Sequence, residues 1–363
     1  MVAGFRKVGI VGLGLIGGSL ALSLARTYPE LEVVGVDSSQ VEVDEALRRM
    51  AVSVGSTSLS AVAGCDLLII ATPVRSIVPV LVECQYSLAP GFIVTDVGST
   101  KFEVAQQMAE AVMNGTYVGG HPMAGSERRG MEAASHLLFE NAVYVLTPGD
   151  APRSSVERLK SLLACTGALF TEMEAAAHDE AVAVVSHLPH IAASAVVGAL
   201  IDKAQQNLLA MSGGGFRDTT RVASGDPLLW RDILTSNRDH VLSAITSLHG
   251  ALAAFERALA SSDDAELLAL LSRSKALRDR LPLRAKSDLP PIFDIVMTLA
   301  DEPGAINIVA GLLGENSINI VDIEILRVRE GFGGTLRLGF ATESDAEKAV
   351  GALRSRGFDV RAR

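Results

Sequence analysis

The sequence predicts an α/β fold in which a doubly wound parallel sheet is followed by an all-helical domain and a small α+β domain. Short apolar runs alternate with helical patterns from residue 5 to about 170, a strandless helical pattern extends to 285, and a compact βαββα pattern follows residue 290. Alternating strands and helices favour right-handed βαβ crossovers and a parallel sheet. The predicted domains are therefore residues 1–172, 173–285 and 290–363.

The composition excludes several classes of protein. The chain has 363 residues with 42 acidic and 32 basic side chains, so its formal net charge is −10. This balance argues against a general nucleic-acid or anionic-membrane binder. We expect no membrane span and no signal peptide, because no long apolar stretch runs without a polar break. Three cysteines without CxxC spacing indicate a reducing, cytoplasmic location without disulfides.

The strands of the first domain are predicted from continuous apolar runs, which are typical of strands buried on both faces of a sheet. These runs are residues 6–11, 31–36, 66–70, 92–95, 116–118, 142–146 and 168–171.

The helical domain carries more apolar surface than a bundle of its size needs. Residues 181–201 and 241–259 are apolar around most of the helix circumference, which predicts buried helices. A homodimer interface in this domain is the economical explanation of the excess. The polar, proline-ended stretch 285–291 is the predicted linker to the last domain.

The last domain is predicted as a ferredoxin-like module. Its predicted strands are 292–299, 318–329 and 335–340, and its predicted helices are 304–315 and 344–356. Gly331, Gly333 and Gly334 indicate a hairpin turn between the second and third strands.

A glycine-rich turn follows the first strand and opens a helix predicted at 19–26. In the run Gly12-Leu13-Gly14-Leu15-Ile16-Gly17, the first glycine permits a tight turn, the second lets the backbone approach a pyrophosphate, and the third allows close packing. Asp37 follows 20 residues later, where it would accept hydrogen bonds from ribose hydroxyls and repel a 2′-phosphate. The pattern predicts a Rossmann domain that binds NAD rather than NADP.

Other candidate residues follow the strands, where open α/β sheets bind their ligands. The predicted cofactor contacts beyond the glycine turn and Asp37 are Thr72, Pro73 and Asp96. Ser99 and His121 follow neighbouring strands and would face the nicotinamide. A histidine at this position suits general-base catalysis, because its ordinary pKa near 6.5 lets it accept a hydroxyl proton as hydride departs.

The helical domain contributes two further clusters. The first contains Asp179, Ser186, His187 and His190. Of the two histidines, one is expected to be a core residue. HxxH spacing suits a metal, but no further ligand completes a set, so we predict no metal site. The second cluster is the run 213–221 followed by Trp230. Its Arg221 can bind a carboxylate with two hydrogen bonds, whereas Arg217 is interpreted as a surface residue.

These motifs resemble the prephenate dehydrogenase family over residues 5–285. The matching runs are 12–17, 96–101, 120–125, 186–190 and 213–221. The resemblance implies an NAD-dependent oxidative decarboxylation of prephenate to 4-hydroxyphenylpyruvate in tyrosine biosynthesis. It implies catalytic roles for His121 and Ser99, and carboxylate binding by Arg221. The remaining substrate-side or gating positions that it implies are Asp179, His190, Ser126, Glu127, Gly214, Asp218 and Trp230, the last of which would reach the partner subunit's site.

Residues 290–361 resemble an ACT domain, a regulatory module that binds amino acids. The turn 301–304 and the run 317–320 carry this resemblance. It implies feedback by tyrosine, with Asp301, Gly304 and Asn319 as candidate effector residues, although a purely architectural module is the alternative.

Three other functions remain open from the sequence. Arogenate could replace prephenate as the substrate. A β-hydroxyacid dehydrogenase shares the same domain plan but uses a lysine base on the helical domain, whereas this chain offers His121. A non-enzymatic sensor of NAD and amino acids is the third alternative, against which the complete set of His121, Ser99 and Arg221 argues.

Overall fold

The computed structural model describes residues 3–125, 128–200, 211–280, 293–299, 302–326 and 334–362. The chain divides into two compact units, Met1–Ala285 and Lys286–Arg363. The predicted boundary between residues 172 and 173 falls inside the first unit. The predicted linker at 285–291 lies outside the described residues.

An eight-stranded sheet forms the centre of the first unit. Its strands are β1 Lys7–Val11, β2 Glu32–Val36, β3 Val54–Ser56, β4 Leu67–Ile70, β5 Ile93–Asp96, β6 Thr116–Pro122, β7 Val143–Thr147 and β8 Leu169–Glu172. The spatial order is β3-β2-β1-β4-β5-β6-β7-β8. All seven predicted strands are present, and the short β3 was not predicted.

One strand pair departs from the predicted parallel sheet. β6 and β7 are antiparallel, with Gly119 opposite Thr147, while the other neighbouring pairs are parallel. A parallel neighbour needs a crossover connection, usually a helix. The described residues between these two strands contain only a short 3-10 turn, Met131–Ala133, so the chain returns in the opposite direction.

Helices cover both faces of this sheet. They are α1 Leu15–Thr27, α2 Gln40–Arg48, α3 Ile77–Cys84, α4 Phe102–Ala111 and α5 Arg153–Leu163. The continuous apolar strands serve two separate cores. In β4, Leu67 and Ile69 pack into one core, while Leu68 and Ile70 pack into the other. This double burial confirms the reasoning that predicted the strands.

The helical part of the first unit follows β8. Its helices are α6 Ala175–Val182, α7 Leu188–Gly198, α8 Gly214–Thr220, α9 Pro227–Ser236, α10 Arg238–Ala260 and α11 Asp264–Arg278. A π-helical segment, Ala183–His187, joins α6 directly to α7. The prediction that 181–201 and 241–259 are buried is wrong for the single chain, since Val185 is 67% exposed and Leu252 is 57% exposed. No residue in the described part of the chain covers these exposed positions.

The helix Ala175–Gly198 is long and apolar enough, by length and composition alone, to cross a membrane, which the sequence was not expected to contain. Core helices of globular proteins pass the same test. Of its apolar window 28% is buried, and the buried side chains of Asp179 and His187 are hydrogen-bonded inside the unit.

The second unit is a four-stranded antiparallel sheet with two helices. Its elements are β9 Phe293–Leu299, α12 Ala305–Glu315, β10 Asp322–Leu326, β11 Gly334–Phe340, α13 Glu343–Ser355 and β12 Val360–Ala362. The strand order is β10-β11-β9-β12. The predicted βαββα pattern is present, while β10 is shorter than predicted and β12 was not predicted. Apolar side chains from the sheet and both helices form one core.

The candidate effector residues lie in this second unit. Gly304 has a φ of +92° and caps the start of α12, and Asn319 is exposed just before β10. Asp301 lies outside the described residues, as do Gly331 and Gly333 of the predicted hairpin turn.

Candidate active site

A cleft of about 790 Å³ opens at the carboxyl ends of β1, β2 and β4, and the glycine turn forms part of its wall. Gly12 has a φ of +97°, and a Cβ there would lie 2.5 Å from the carbonyl oxygen of Ala71. A Cβ on Gly17 would lie 1.9 Å from the carbonyl oxygen of Gly12, whereas a Cβ on Gly14 would meet nothing within 4 Å. The space over Gly14, at the start of α1, is where a pyrophosphate can approach the backbone.

The remaining residues of the turn hold it in shape. The side chain of Leu13 is fully buried in the core, while Leu15 and Ile16 form the first turn of α1. The backbone N–H of Leu13 donates to the Asp37 carboxylate at 2.8 Å, and the N–H of Ser39 donates to its other oxygen at 2.8 Å. Asp37 therefore anchors the glycine turn in addition to lining the cleft.

The lining of this cleft fits NAD. Thr72 and Pro73 line it as predicted, and the buried hydroxyl of Thr72 has no hydrogen-bond partner among the described residues. Asp37 and Glu83 are its two carboxylates, and no basic side chain belongs to the described lining. Two carboxylates without a cation disfavour the 2′-phosphate of NADP.

The prediction that Asp96 contacts the cofactor is wrong, because its side chain is fully buried beneath the sheet edge. One carboxylate oxygen accepts from the ammonium of Lys101 and from the N–H of Gly98, and the other accepts from the Tyr117 hydroxyl at 2.9 Å. Lys101 is also fully buried, so its charge requires this partner. The pair fixes the loop that carries Ser99.

A second cleft, of about 390 Å³, lies between the strand ends and the helical part. Ser99 follows β5, His121 lies near the end of the neighbouring β6, and both line this cleft as predicted. Arg221 and Trp230 line it from the helical part. Other lining residues are Met123, Ser186, His187, Val222, Gly225, Leu229 and Ile233. The cleft thus combines two hydroxyls, two imidazoles and a guanidinium with apolar walls.

A chain of hydrogen bonds fixes the orientation of His121. Its Nδ1 lies 2.8 Å from Nε2 of His178, and Nδ1 of His178 lies 2.7 Å from the Asp179 carboxylate. A carboxylate only accepts, so His178 donates through Nδ1 and, when neutral, accepts through Nε2. His121 then donates through Nδ1 and keeps the lone pair of Nε2, which is the arrangement that a general base needs.

Asp179 connects this relay to the end of the sheet. Its two carboxylate oxygens accept the backbone N–H groups of Lys101 at 2.8 Å and Phe102 at 2.9 Å, at the start of α4. The side chain of Asn237 donates to the backbone carbonyl of Asp179 at 2.7 Å. Asp179 was expected on the substrate side, but its buried carboxylate supports the relay instead.

Burial keeps the cleft histidines neutral. Loss of solvation lowers the pKa of His121 well below its ordinary value of 6.5, and the neighbouring His178 lowers it further. Burial also lowers the pKa of His187 to about 4. A neutral His121 has its acceptor nitrogen available at ordinary pH.

His190 and Trp230 stack in parallel. Their ring centroids are 3.6 Å apart and their planes differ by 10°. His190 is 7% exposed and does not belong to the cleft lining, so it supports Trp230 from behind, while its neighbour His187 reaches the cleft. Trp230 lines the cleft of its own chain, and its expected reach into the partner subunit's site stays a prediction. Gly225 makes this packing possible, since a Cβ there would lie 2.4 Å from the indole nitrogen.

Two of the other predicted substrate-side residues lie away from the cleft. Gly214 and Asp218 lie on the exposed surface of α8 and outside the cleft lining. Ser126 and Glu127 lie outside the described residues. Among the residues that the structure describes, no group of three His, Cys, Asp or Glu side chains is placed to hold a metal ion.

Sequence reasoning missed His178, Lys101 and Tyr117. His178 directly precedes Asp179, which was singled out, and a histidine beside a helical carboxylate is a visible signal for such a relay. No sequence signal places it beside His121, 57 residues away, because that contact depends on the packing of α6 against α4.

The comparisons with known proteins agree with this geometry. Residues 20–172 match the nucleotide-binding domain of prephenate dehydrogenase, and residues 174–273 match the dimerization domain of prephenate dehydrogenase. The chain is 37% identical to the prephenate dehydrogenase of Bacillus subtilis (strain 168), with 96% of this chain and 95% of that protein covered. It is 33% identical to the enzyme of the same name from Lactococcus lactis subsp. cremoris, with 95% and 96% covered.

Solved structures give the same result. The prephenate dehydrogenase of A. aeolicus, in complex with hydroxyphenyl propionate and NAD+, is 31% identical with a TM-score of 0.72, covering 76% of this chain and 98% of that chain. The Synechocystis arogenate dehydrogenase is 33% identical with a TM-score of 0.67, covering 76% and 100%. Together with the nearly full-length identity to curated relatives, these matches show that the chain belongs to the prephenate dehydrogenase family.

Proposed function

We infer that the chain catalyses the NAD-dependent oxidative decarboxylation of prephenate to 4-hydroxyphenylpyruvate and CO2 in tyrosine biosynthesis. The observation that carries this inference is the relay from Asp179 through His178 to His121 at the wall of a cleft that also contains Ser99 and Arg221. A neutral base held in one tautomer beside a carboxylate-binding arginine suits a dianionic hydroxy acid.

NAD held at the glycine turn and Asp37 would supply the hydride acceptor. Nε2 of His121 takes the proton of the ring hydroxyl as that carbon loses its hydride and becomes a carbonyl. The bond to the ring carboxylate then breaks, and its electron pair makes the ring aromatic as CO2 leaves. The new phenolate recovers a proton from His121, so the base is regenerated. The protein contributes position and a proton acceptor.

The cleft favours prephenate over arogenate. Arogenate is the second candidate substrate, because one similar solved structure is the Synechocystis arogenate dehydrogenase. Arogenate carries an ammonium where prephenate has a keto group, and an ammonium needs an acceptor when it is desolvated. No carboxylate belongs to the described lining, so the described part of the cleft offers that ammonium no charged acceptor. Steady-state kinetics with both substrates tests this preference, and an equal or higher kcat/KM for arogenate would refute it.

The decisive test is NADH production with prephenate by the wild-type chain and by His121→Asn. We expect the variant to lose nearly all turnover while its KM for prephenate stays close to that of the wild type. Retained turnover would remove His121 as the base. Absence of NADH production by the wild type would refute the proposed reaction.

We further propose that two copies associate through the helical part of the first unit. Val185, Leu242, Leu252 and Leu271 each leave half or more of their surface exposed in one chain. Analytical ultracentrifugation tests this assembly. A monomer at micromolar concentration would contradict it.

Feedback by tyrosine remains a prediction for the second unit, with Asp301, Gly304 and Asn319 as candidates. A ligand that binds the native state raises Tm. If tyrosine neither inhibits turnover nor changes Tm, the module is architectural. The cytoplasmic location is likewise a prediction, supported by three cysteines that form no disulfide in the structure.

A further inference from the structure

A third cleft of the first unit belongs to neither site described above. It has a volume of about 590 Å³ and lies between α4 and the turn that follows β7, with the start of α6 at one end. We call it the α4–β7 groove, and it is lined by residues of α4, 115–117, 147–152 and 174–176. It is larger than the substrate cleft, at about 390 Å³.

The groove contains a buried polar group without a partner. Thr147 is only 3% exposed, and its hydroxyl makes no hydrogen bond within the described part of the chain. A Cβ on Gly119 would lie 2.2 Å from this hydroxyl and 2.8 Å from that of Tyr117, so both hydroxyls approach the same point of β6. A buried hydroxyl without a partner is unfavourable, and rotation of the Thr147 side chain toward a ligand in the groove would give this hydroxyl the hydrogen bond that it lacks.

The charges of the groove restrict the ligand. Asp150 and Glu174 are its exposed carboxylates, and no basic side chain belongs to the described lining. The walls are largely apolar, with Phe102 and Met108 among them. Such a groove repels anions, including prephenate and nucleotides, and suits an apolar body with one positive charge.

Two contacts connect the groove to the catalytic relay. Tyr117, in its floor, donates to Asp96, whose other oxygen accepts from the buried Lys101. The backbone N–H of Phe102, in its wall, donates to Asp179, the carboxylate at the end of the relay. A ligand that moves the start of α4 therefore acts on the group that orients His121.

We propose that the α4–β7 groove binds a small molecule with an apolar body and a protonated amine, hydrogen-bonded to Thr147, and that its occupancy changes kcat. The effect on kcat rests on the proposed function, whereas the binding does not.

Isothermal titration calorimetry of the full chain with 2-phenylethylamine tests the binding, with 3-phenylpropanoate as the matched anion. We expect the amine to bind at least tenfold more tightly than the anion. Ala109→Trp places a large side chain from the exposed face of α4 into the groove and abolishes amine binding. Thr147→Val removes only the hydroxyl, weakens binding about fivefold, and keeps or raises Tm because that hydroxyl has no partner. Glu110→Gln, on α4 outside the groove, leaves binding unchanged.

Equal binding of amine and anion, or amine binding that survives both Ala109→Trp and Thr147→Val, would overturn the groove as the site. With the site established, we expect saturating amine to change the kcat of the wild type at least twofold and to leave the kcat of Ala109→Trp unchanged. An unchanged wild-type kcat would overturn the coupling. A wild type without turnover contradicts the proposed function instead, while calorimetry still decides the binding.

Discussion

Replacement of His178 by phenylalanine tests the relay directly. The substitution keeps a ring of similar size but removes the acceptor that lies 2.8 Å from Nδ1 of His121 and the donor that lies 2.7 Å from Asp179. Hydrogen bonds that involve a charged partner contribute about 1.5–3 kcal/mol. If the relay acts on the transition state, kcat falls about 10- to 150-fold.

Initial rates of NADH formation measure this loss, and the KM for prephenate and the Kd for NAD separate it from binding. We expect both to change less than threefold, because His178 lines neither cleft. His178→Gln is the matched control, since its amide can accept from His121 and donate to Asp179, and it should lose less activity than the phenylalanine variant. A kcat of His178→Phe within twofold of the wild type would refute the relay.

Three further results are expected. Arg221→Ala raises the KM for prephenate at least tenfold and leaves NAD binding unchanged. The control variant Arg217→Ala, on the exposed helix α8, changes neither quantity. An unchanged KM in Arg221→Ala would exclude a role of Arg221 in carboxylate binding. Burial lowers the pKa of His187 to about 4, so on acidification the unfolded chain binds a proton at this residue before the folded chain does. The free energy of unfolding therefore falls by up to about 3 kcal/mol as the pH is lowered from 6.5 to 4. Chemical denaturation of His187→Gln over the same pH range should show a smaller fall. Gly14→Ala lowers Tm less than Gly17→Ala, because the Cβ at 14 meets nothing within 4 Å whereas the Cβ at 17 meets the backbone, yet Gly14→Ala weakens NAD binding. A larger loss of Tm in Gly14→Ala than in Gly17→Ala would contradict the open space over Gly14.

The sheet was largely predictable because its strands are continuous apolar runs such as Leu67–Ile70. A run of this length is typical of a strand buried on both faces and is too short for a buried helix. The strand β3 escaped because its three residues, Val54–Ser56, are too few and too polar for such a run. The direction of β7 could have been inferred, since residues 123–142 show no helical pattern long enough for a crossover.

The parts of the site that follow strand ends were predictable, because topology alone brings Ser99 and His121 to neighbouring strands. The parts that depend on tertiary packing were not. Asp96 resembles a cleft residue by position, yet a buried Lys101 five residues later turns its carboxylate inward. The exposed apolar faces of the long helices show a second limit of sequence analysis. The sequence indicates that a helix face is apolar, but it does not indicate which surface covers that face.

The π-helical segment Ala183–His187 sets the angular position of His187 relative to the residues of the relay on the same helix. A π turn holds one residue more than an α turn, so it shifts the angular position of everything that follows. Deletion of one residue there would restore a regular helix with better backbone geometry, yet it would rotate His187 relative to His178. The irregular turn therefore gives up regular helical hydrogen bonding and in exchange lets His178 face His121 while His187 lines the cleft.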